Sequence, residues 1–600
     1  MTALTRIAAG LALLGLLLTA PPSLAAPAGG APVVDSGTLI PATVEGAKAN
    51  RVTVSALGAA QLPAGISHGI RVVTTTGMTA DWDAVTRAPL TTAIKKGDVL
   101  LATFRARCEK SMTGEAAVQF AFERAGEPYN KSAFVRFGVR EHWTVFHVPF
   151  TADDDYAPGQ AHATFHLGFN GQALDLADLT VVNYRNTQTV AGLPRTDIDY
   201  PGRDADAPWR AEANARIDKH RKADLRVTVT DAAGRPVPGA TAHLKQTAHA
   251  FPFGTAIAVR GLLDKSLDGE RYRETLKADF NAGVLENAMK WNNHGLATDA
   301  EIAQALDWLD HAAIPLRGHV LVWPGWRWLP ESIKALEHDS VALKAATEAR
   351  VTNTATRYAG RLVDWDVINE PFDNHDLMDI LGQEVMVDWF KLAQAADPGA
   401  QRYLNDWGIL TTGGRDSAHQ QHYEDTARYL IDHGAPITGL GMQGHFAGTL
   451  TSPRDVWAIL DRFAQFNLPI KITELDIDLE DPVLQADFMR DLLTAAFAHE
   501  SIHGVTTWGF WAKRHWRATA AHYDENWNRR PVGDVWKTLT QETWWTDETA
   551  TTDAYGQATL RGFKGQHTLT VTHADGRQIV TPDVAVQDGG GALTVTLPSR

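Results

Sequence analysis

Cysteine is nearly absent from this sequence. Cys108 is the only one in 600 residues, which excludes an intrachain disulfide and any metal cluster built on thiolates. Positive charge is also scarce: 56 Lys and Arg against 71 Asp and Glu leave a formal charge of −15, the wrong sign for a protein that tracks nucleic-acid phosphates. Long apolar runs are missing, with one exception. Ile7 to Ala20 follows Arg6 and leads into Pro21, Pro22 and the small-residue sequence Ser23-Leu24-Ala25. It is shorter than the ~20 residues of a membrane span and reads as a secretory leader over residues 1–25. The mature chain is therefore expected to be exported, extracellular or periplasmic, with no membrane attachment once the leader is removed. Phosphate loops, dinucleotide fingerprints and metal-ligand spacings are absent from the places that would give them meaning, so no cofactor and no metal are expected. Tryptophan, by contrast, is plentiful: 19 residues, 16 of them at or after Trp291.

Composition and period divide the chain. Residues 26–49 are rich in Ala, Pro and Gly without a period and read as a linker. Residues 50–186 hold short alternating runs such as Val99 to Phe104 and Trp143 to Val148 between polar turns, the pattern of a β-sandwich. Residues 187–249 read as a connector: a Gly, Asp and Pro cluster near Gly202, a basic helical stretch to Lys222, and a β-hairpin over 224–247. Over 250–543 apolar runs begin near Phe251, Val284, Pro315, Val363, Arg402, Ile437, Pro469 and Gly504, recurring every 31 to 48 residues. Helical patterns fill the gaps, including Ile302, Leu306 and Leu309 behind a Thr298-x-x-Glu301 capping box, and Phe488, Leu492 and Ala496. Eight strands at a helix-sized interval predict a (β/α)₈ barrel. Residues 544–600 return to alternation and predict a small β domain. The fold class is thus multidomain: a TIM-type barrel with an N-terminal β-sandwich and a small C-terminal β domain.

Barrels of this kind carry their chemistry where strands end. Glu370 closes the run Leu362 to Asn369 and is followed by Pro371; Glu474 closes Pro469 to Thr473. Either alone reads as a solvated loop carboxylate or a helix cap. On strands four and seven the two face each other across the barrel mouth, which is the arrangement glycoside hydrolysis needs: one carboxyl to protonate the leaving oxygen and one carboxylate to attack.

The strings Trp365-Asp366-Val367-Ile368-Asn369-Glu370-Pro371 and Ile472-Thr473-Glu474-Leu475-Asp476 closely resemble the two active-site motifs of glycoside hydrolase family 10, the retaining endo-β-1,4-xylanases. Other strand ends agree. Phe251-Pro252-Phe253-Gly254 resembles the first strand, Glu286-Asn287-Ala288-Met289-Lys290-Trp291 the second and Gly318-His319-Val320-Leu321-Val322-Trp323 the third. Tyr403 with Asn405-Asp406, Gly441-Met442-Gln443-Gly444-His445, and Trp508-Gly509 with Trp516 are similar to strands five, six and eight. The resemblance implies Glu370 as general acid/base and Glu474 as nucleophile, with Asn369 bonding the sugar 2-hydroxyl and Glu286, Asn287 and Lys290 binding glycone sugars. It implies supporting or substrate contacts for His319, Asn405, Gln443, His445 and Asp476, and a polysaccharide as the partner. Trp323, Trp508 and Trp516 are candidate sugar platforms, because a pyranose packs its C–H groups on a flat apolar face; core packing is the general alternative for tryptophan. A buried His445–Asp476 pair is equally a common structural motif, and Glu286 with Lys290 equally a surface ion pair.

Two stretches depart from the family pattern. Trp323-Pro324-Gly325-Trp326-Arg327-Trp328 replaces the usual Trp-His-Ser-Gln, and Phe510-Trp511-Ala512-Lys513-Arg514-His515 lacks the aspartate often found after Trp-Gly. Both alter the sugar subsites and leave the two glutamates in place. The reading is a secreted retaining endo-β-1,4-xylanase; the alternatives are the same chemistry on another β-1,4-glycan, or a non-catalytic glycan-binding protein on a decayed barrel. Residues 50–186 resemble a family 4/9-type carbohydrate-binding module, with Trp82, Tyr129 and Trp143 as candidate contacts and Phe104, Phe120 and Phe122 as core. Oligomeric state has no signature in the sequence.

Overall fold

The computed structural model describes residues 27–599, apart from 35–43, 47, 76–80, 112–115, 140, 169–170, 197 and 415. The expected leader at 1–25 lies outside the described residues. Eight parallel strands close into a barrel: β1 (Phe253–Ile257), β2 (Ala282–Leu285), β3 (Leu316–Gly318), β4 (Asp364–Asn369), β5 (Gln401–Asp406), β6 (Gly439–Ala447), β7 (Ile470–Asp478) and β8 (Ile502–Thr507), with β8 pairing back onto β1. Each begins within two residues of its apolar run, because a strand buried on both faces is mostly apolar. The helices between them cover the outside. Thr298 and Glu301 form the expected capping box, Thr298 N to Glu301 Oε2 at 2.7 Å and Glu301 N to Thr298 Oγ1 at 3.2 Å, and Ile302, Leu306 and Leu309 are buried behind it.

Strand β4 is buried along its whole length although it carries Asp364 and Asp366. The Arg317 guanidinium on β3 answers both, at 3.0 and 2.5 Å, Lys471 on β7 reaches Asp364, and His319 meets Asp366 at 2.8 Å. Buried charges persist only when paired in this way.

The N-terminal region is a β-sandwich. One sheet orders Val52–Ala56, Gly69–Thr74, Gln172–Arg185, Val99–Ser111 and Thr144–Thr151; the other orders Val85–Pro89, Ala161–His166, Ala116–Arg124 and Lys131–Val139. Phe104, Phe120, Phe137, Phe146 and Phe165 pack between them. Part of the expected linker belongs to this sandwich. Ala31–Pro32 pairs with Asn183 and Val182 at a sheet edge, and Val33 and Val34 are buried; an edge is where a strand tolerates proline.

The hairpin expected over 224–247 is not a hairpin. Lys222–Thr230 pairs with Gln557–Phe563 and Gly591–Thr596, whereas Thr241–His249 pairs with Asp547–Thr551 and Gly565–Thr572 in a second sheet. Each strand has an apolar face, and both faces are buried only when the two strands enter opposite sheets of one sandwich, around Leu225, Val227, Leu244, Leu569 and Val571. The connector strands and the C-terminal strands therefore share one core, and the barrel is inserted between them. The helix Trp209–Arg221 buries Trp209, Ala213 and Ile217.

Candidate active site

Glu370 follows the last residue of β4, and Glu474 lies within β7. Glu370 has φ +54°, in the left-handed region, a costly conformation for a residue before proline, roughly 1–3 kcal/mol. Backbone bonds on both sides hold it: its N–H donates to Asn405 O at 2.8 Å, and its carbonyl accepts from Asn374 N at 3.1 Å. Irregular register between β6 and β7 brackets Gln443, and between β7 and β8 brackets Glu474, the usual means of re-aiming side chains at a barrel rim.

The two carboxyls have different neighbours. Glu370 accepts from Gln443 Nε2 at 2.8 Å, Trp323 Nε1 at 3.1 Å and Asn374 Nδ2 at 3.2 Å, all neutral donors. Burial, reinforced by the nearby Glu474 charge and only partly opposed by those donors, raises its carboxyl to about 7. Burial also pulls Glu474 upward. There it is outweighed by the hydrogen bond to His445 and by surrounding positive charge including Lys290, which bring Glu474 down to about 2. His445 Nε2 lies 3.2 Å from Glu474 Oε2, and its Nδ1 lies 2.9 Å from Asp476 Oδ2. Burial alone would lower this imidazole, but Asp476 and Glu474 together raise it to about 9, so near neutral pH it donates from both nitrogens.

Asn405 joins the two halves of the site. Its Nδ2 donates to Glu474 Oε1 at 2.9 Å and to Asn369 Oδ1 at 2.8 Å, while its Oδ1 accepts from Thr473 at 2.7 Å. Position 441 is glycine because a Cβ there would lie 2.4 Å from Asn405 Oδ1. Asn369 is buried, and its Nδ2 has no acceptor among the described residues. A buried donor of this kind is costly unless something binds it. Glu286, Asn287 and Lys290 follow β2 and are half-buried. Lys290 Nζ donates to Asn287 Oδ1 at 2.7 Å. Burial raises Glu286 and lowers Lys290, each partly offset by the opposite charges around it. His319 Nδ1 lies 2.8 Å from Asp366 Oδ2, and its ring is edge-on to Trp508 at 5.2 Å.

The three candidate platforms are placed differently. Trp516 is 54% exposed and donates to Asp476 Oδ2 at 2.7 Å. Trp508 is only 6% exposed and packs between His319 and His445, so it belongs to the floor and offers no open face. Trp323 stacks on Trp328 at 3.8 Å and carries Lys290 Nζ 5.1 Å over its ring; both faces are taken, and what it presents is the N–H aimed at Glu370. The departing third loop thus has a job. Trp328 donates to Asn374 Oδ1 at 3.0 Å, Trp326 N–H donates to Asp376 at 2.8 Å, and Gly325 fits where a Cβ would strike Asn374. Asn374 and Trp328 escaped the sequence reading because their role depends on packing between two loops. In the N-terminal sandwich, Trp143 is half-buried beneath Arg107, while Trp82 and Tyr129 are exposed.

A carboxyl raised and a carboxylate lowered on one barrel rim are chemically able to give a proton and to attack. Comparison with known proteins places this geometry. Residues 243–538 match the model described as Glycosyl hydrolase family 10. Among curated proteins, the chain is 30% identical over 393 residues to Anti-sigma-I factor RsgI6 of Acetivibrio thermocellus, covering 65% of this chain and 50% of that protein. It is 26% identical over 389 residues to Endo-1,4-beta-xylanase 1 of Arabidopsis thaliana, covering 64% and 40%. To Endo-1,4-beta-xylanase 3 of Hypocrea jecorina it is 28% identical over 296 residues, covering 47% and 80%. The chain thus spans half or less of the length of the first two. The barrel at residues 243–538 belongs to glycosyl hydrolase family 10.

Proposed function

We propose that this protein is a retaining endo-β-1,4-xylanase. The observation that carries the reading is the divergence of the two carboxyls, Glu370 raised to about 7 and Glu474 lowered to about 2, and the names of two relatives supply the substrate class. Glu370, protonated at the start, gives its proton to the glycosidic oxygen as the bond to the anomeric carbon breaks, and Glu474 attacks that carbon to form a glycosyl ester. Glu370, now a carboxylate, takes a proton from water as the water displaces Glu474, and the original anomeric configuration returns. Asn369 Nδ2 is the donor for the sugar hydroxyl beside the reacting carbon. His445, held by Asp476, keeps Glu474 ionised and oriented. The chain is exported after cleavage of residues 1–25, a reading supported by its leader sequence.

Reducing-sugar release by the purified protein from xylan, mixed-linkage glucan and cellulose, beside a Glu474→Ala control, tests the activity. Xylan-selective release that the control lacks is expected. Glycan binding without release from any of the three would replace this reading with that of a glycan-binding barrel. N-terminal sequencing of protein secreted by its host, expected to start at Ala26, tests export.

A further inference from the structure

We infer that the N-terminal β-sandwich forms one wall of the catalytic cleft and that Phe134, Arg136 and Gln119 bind the leaving-group portion of the xylan chain. Gln119 lies on Ala116–Arg124, and Phe134 and Arg136 lie on Lys131–Val139. They line a cavity of about 630 Å³ together with Glu370, Gln443, His445 and Trp516 of the barrel. A second cavity of about 310 Å³ lies between Val135, Phe137 and His147 of the sandwich and Gly448, Asp478 and Glu480 on the barrel rim. Both sheets of the sandwich therefore meet the barrel, through Lys131–Val139 and Thr144–Thr151.

The connector fixes this placement. Thr196 is bonded both ways to the backbone of His147 in the sandwich, at 2.9 and 2.7 Å. Four residues later Tyr200 donates to Asp491 at 2.8 Å, on the barrel helix Pro482–Ala498. Arg203 adds a bond to Asp487 at 3.0 Å, and Arg210 grips Asp491 through both terminal nitrogens at 2.7 Å. A tether that short between two anchored points leaves the sandwich little freedom to turn away.

The chemistry of the wall suits a sugar. Phe134 is 47% exposed with Lys131 Nζ 5.2 Å over its ring, and Trp516 is 54% exposed with the Arg517 guanidinium 4.2 Å over its ring, so each domain brings to the cavity a half-exposed aromatic ring with a cation over one face. Single aromatic faces in a polar setting pack the C–H side of a pyranose. Arg136 Nε donates to Gln119 Oε1 at 2.9 Å, which orients a planar donor beside the platform, and donors of this type bond sugar hydroxyls. The cavity takes in Glu370 but not Glu286, Asn287 or Lys290, the residues whose motif points to the glycone. It therefore lies on the proton donor's side of the scissile bond. The inference rests on the xylanase reading and deepens it.

The test compares Phe134→Ala and Arg136→Ala in the full chain on xylohexaose and on an aryl β-xylobioside, whose leaving group is too short to follow the wall. Loss of a contact made equally in ground and transition states raises KM and leaves kcat nearly constant. For xylohexaose, KM is expected to rise about tenfold, the size of one good contact, and at least about threefold more than for the aryl substrate. Phe134→Trp should restore it, and Tyr555→Ala, on the far sandwich, should match the parent protein. Equal effects on both substrates, or none, would overturn the inference. If the parent protein hydrolyses neither substrate, the xylanase reading fails separately. Tryptophan-fluorescence titration with xylohexaose then decides the wall: affinity lowered about tenfold by Phe134→Ala supports it, and unchanged affinity overturns it.

Discussion

Glu370 and Glu474 are the same side chain on one barrel, one just after β4 and one within β7, yet their surroundings drive them in opposite directions. Burial opposes ionisation of both. The hydrogen-bond donors around Glu370 are neutral: an amide from Gln443, an indole N–H from Trp323 and an amide from Asn374. Around Glu474 there is a charged imidazole, itself locked by Asp476, with Lys290 nearby. A neutral donor moderates a desolvated carboxyl, whereas a cation overrides the desolvation. The proposed division of labour between proton donor and nucleophile rests on which hydrogen-bonding neighbours carry charge.

The largest effect should come from removing the side that must attack. Glu474→Ala is expected to lower kcat on xylan by about 10⁴-fold or more, measured by reducing-sugar release. Glu370→Ala removes a proton and should cost about 10²–10³-fold on xylan. It should cost far less on a dinitrophenyl xylobioside, whose leaving group needs no protonation; equal losses on both would break the assignment of roles. His445→Asn removes the cation that holds Glu474 ionised, so the Glu474 carboxyl rises and activity falls from the acid side. In the kcat/KM profile against pH, the loss should be roughly tenfold greater at pH 4 than at pH 6. The smallest change is Gln443→Leu. Its amide favours the ionised form of Glu370, so its loss raises that carboxyl further. The alkaline limb of the profile should move to higher pH, with roughly threefold more activity retained at pH 8 relative to the optimum.

The barrel was readable because its information is local. Each strand carries a short, mostly apolar run, and the functional residues lie in or just after these strands, so Glu370, Glu474, Asn405, Gln443 and His445 meet where their strands put them. The two sandwiches were readable only as alternation. Alternation tells which face of a strand is buried but not against what. Thr241–His249 finds its partners about 300 residues away, beyond an entire barrel, and no local signal distinguishes that from a hairpin. The same limit hid Asn374 and Trp328, whose bond joins the loops after β3 and β4, and the sandwich wall at the cleft, which depends on how the connector is pinned to the helix Pro482–Ala498. Tryptophan number pointed to broad flat faces, yet of the three candidates only Trp516 is more than half exposed.

The most direct test of the divided pair is ¹³C NMR titration of glutamate carboxyls in the intact protein, with Glu370→Gln and Glu474→Gln spectra used to assign the two signals. The account predicts one carboxyl titrating near about 7 that vanishes in Glu370→Gln, and one still ionised at pH 4 that vanishes in Glu474→Gln. Two carboxyls titrating together near the ordinary glutamate value of about 4.3 would contradict it.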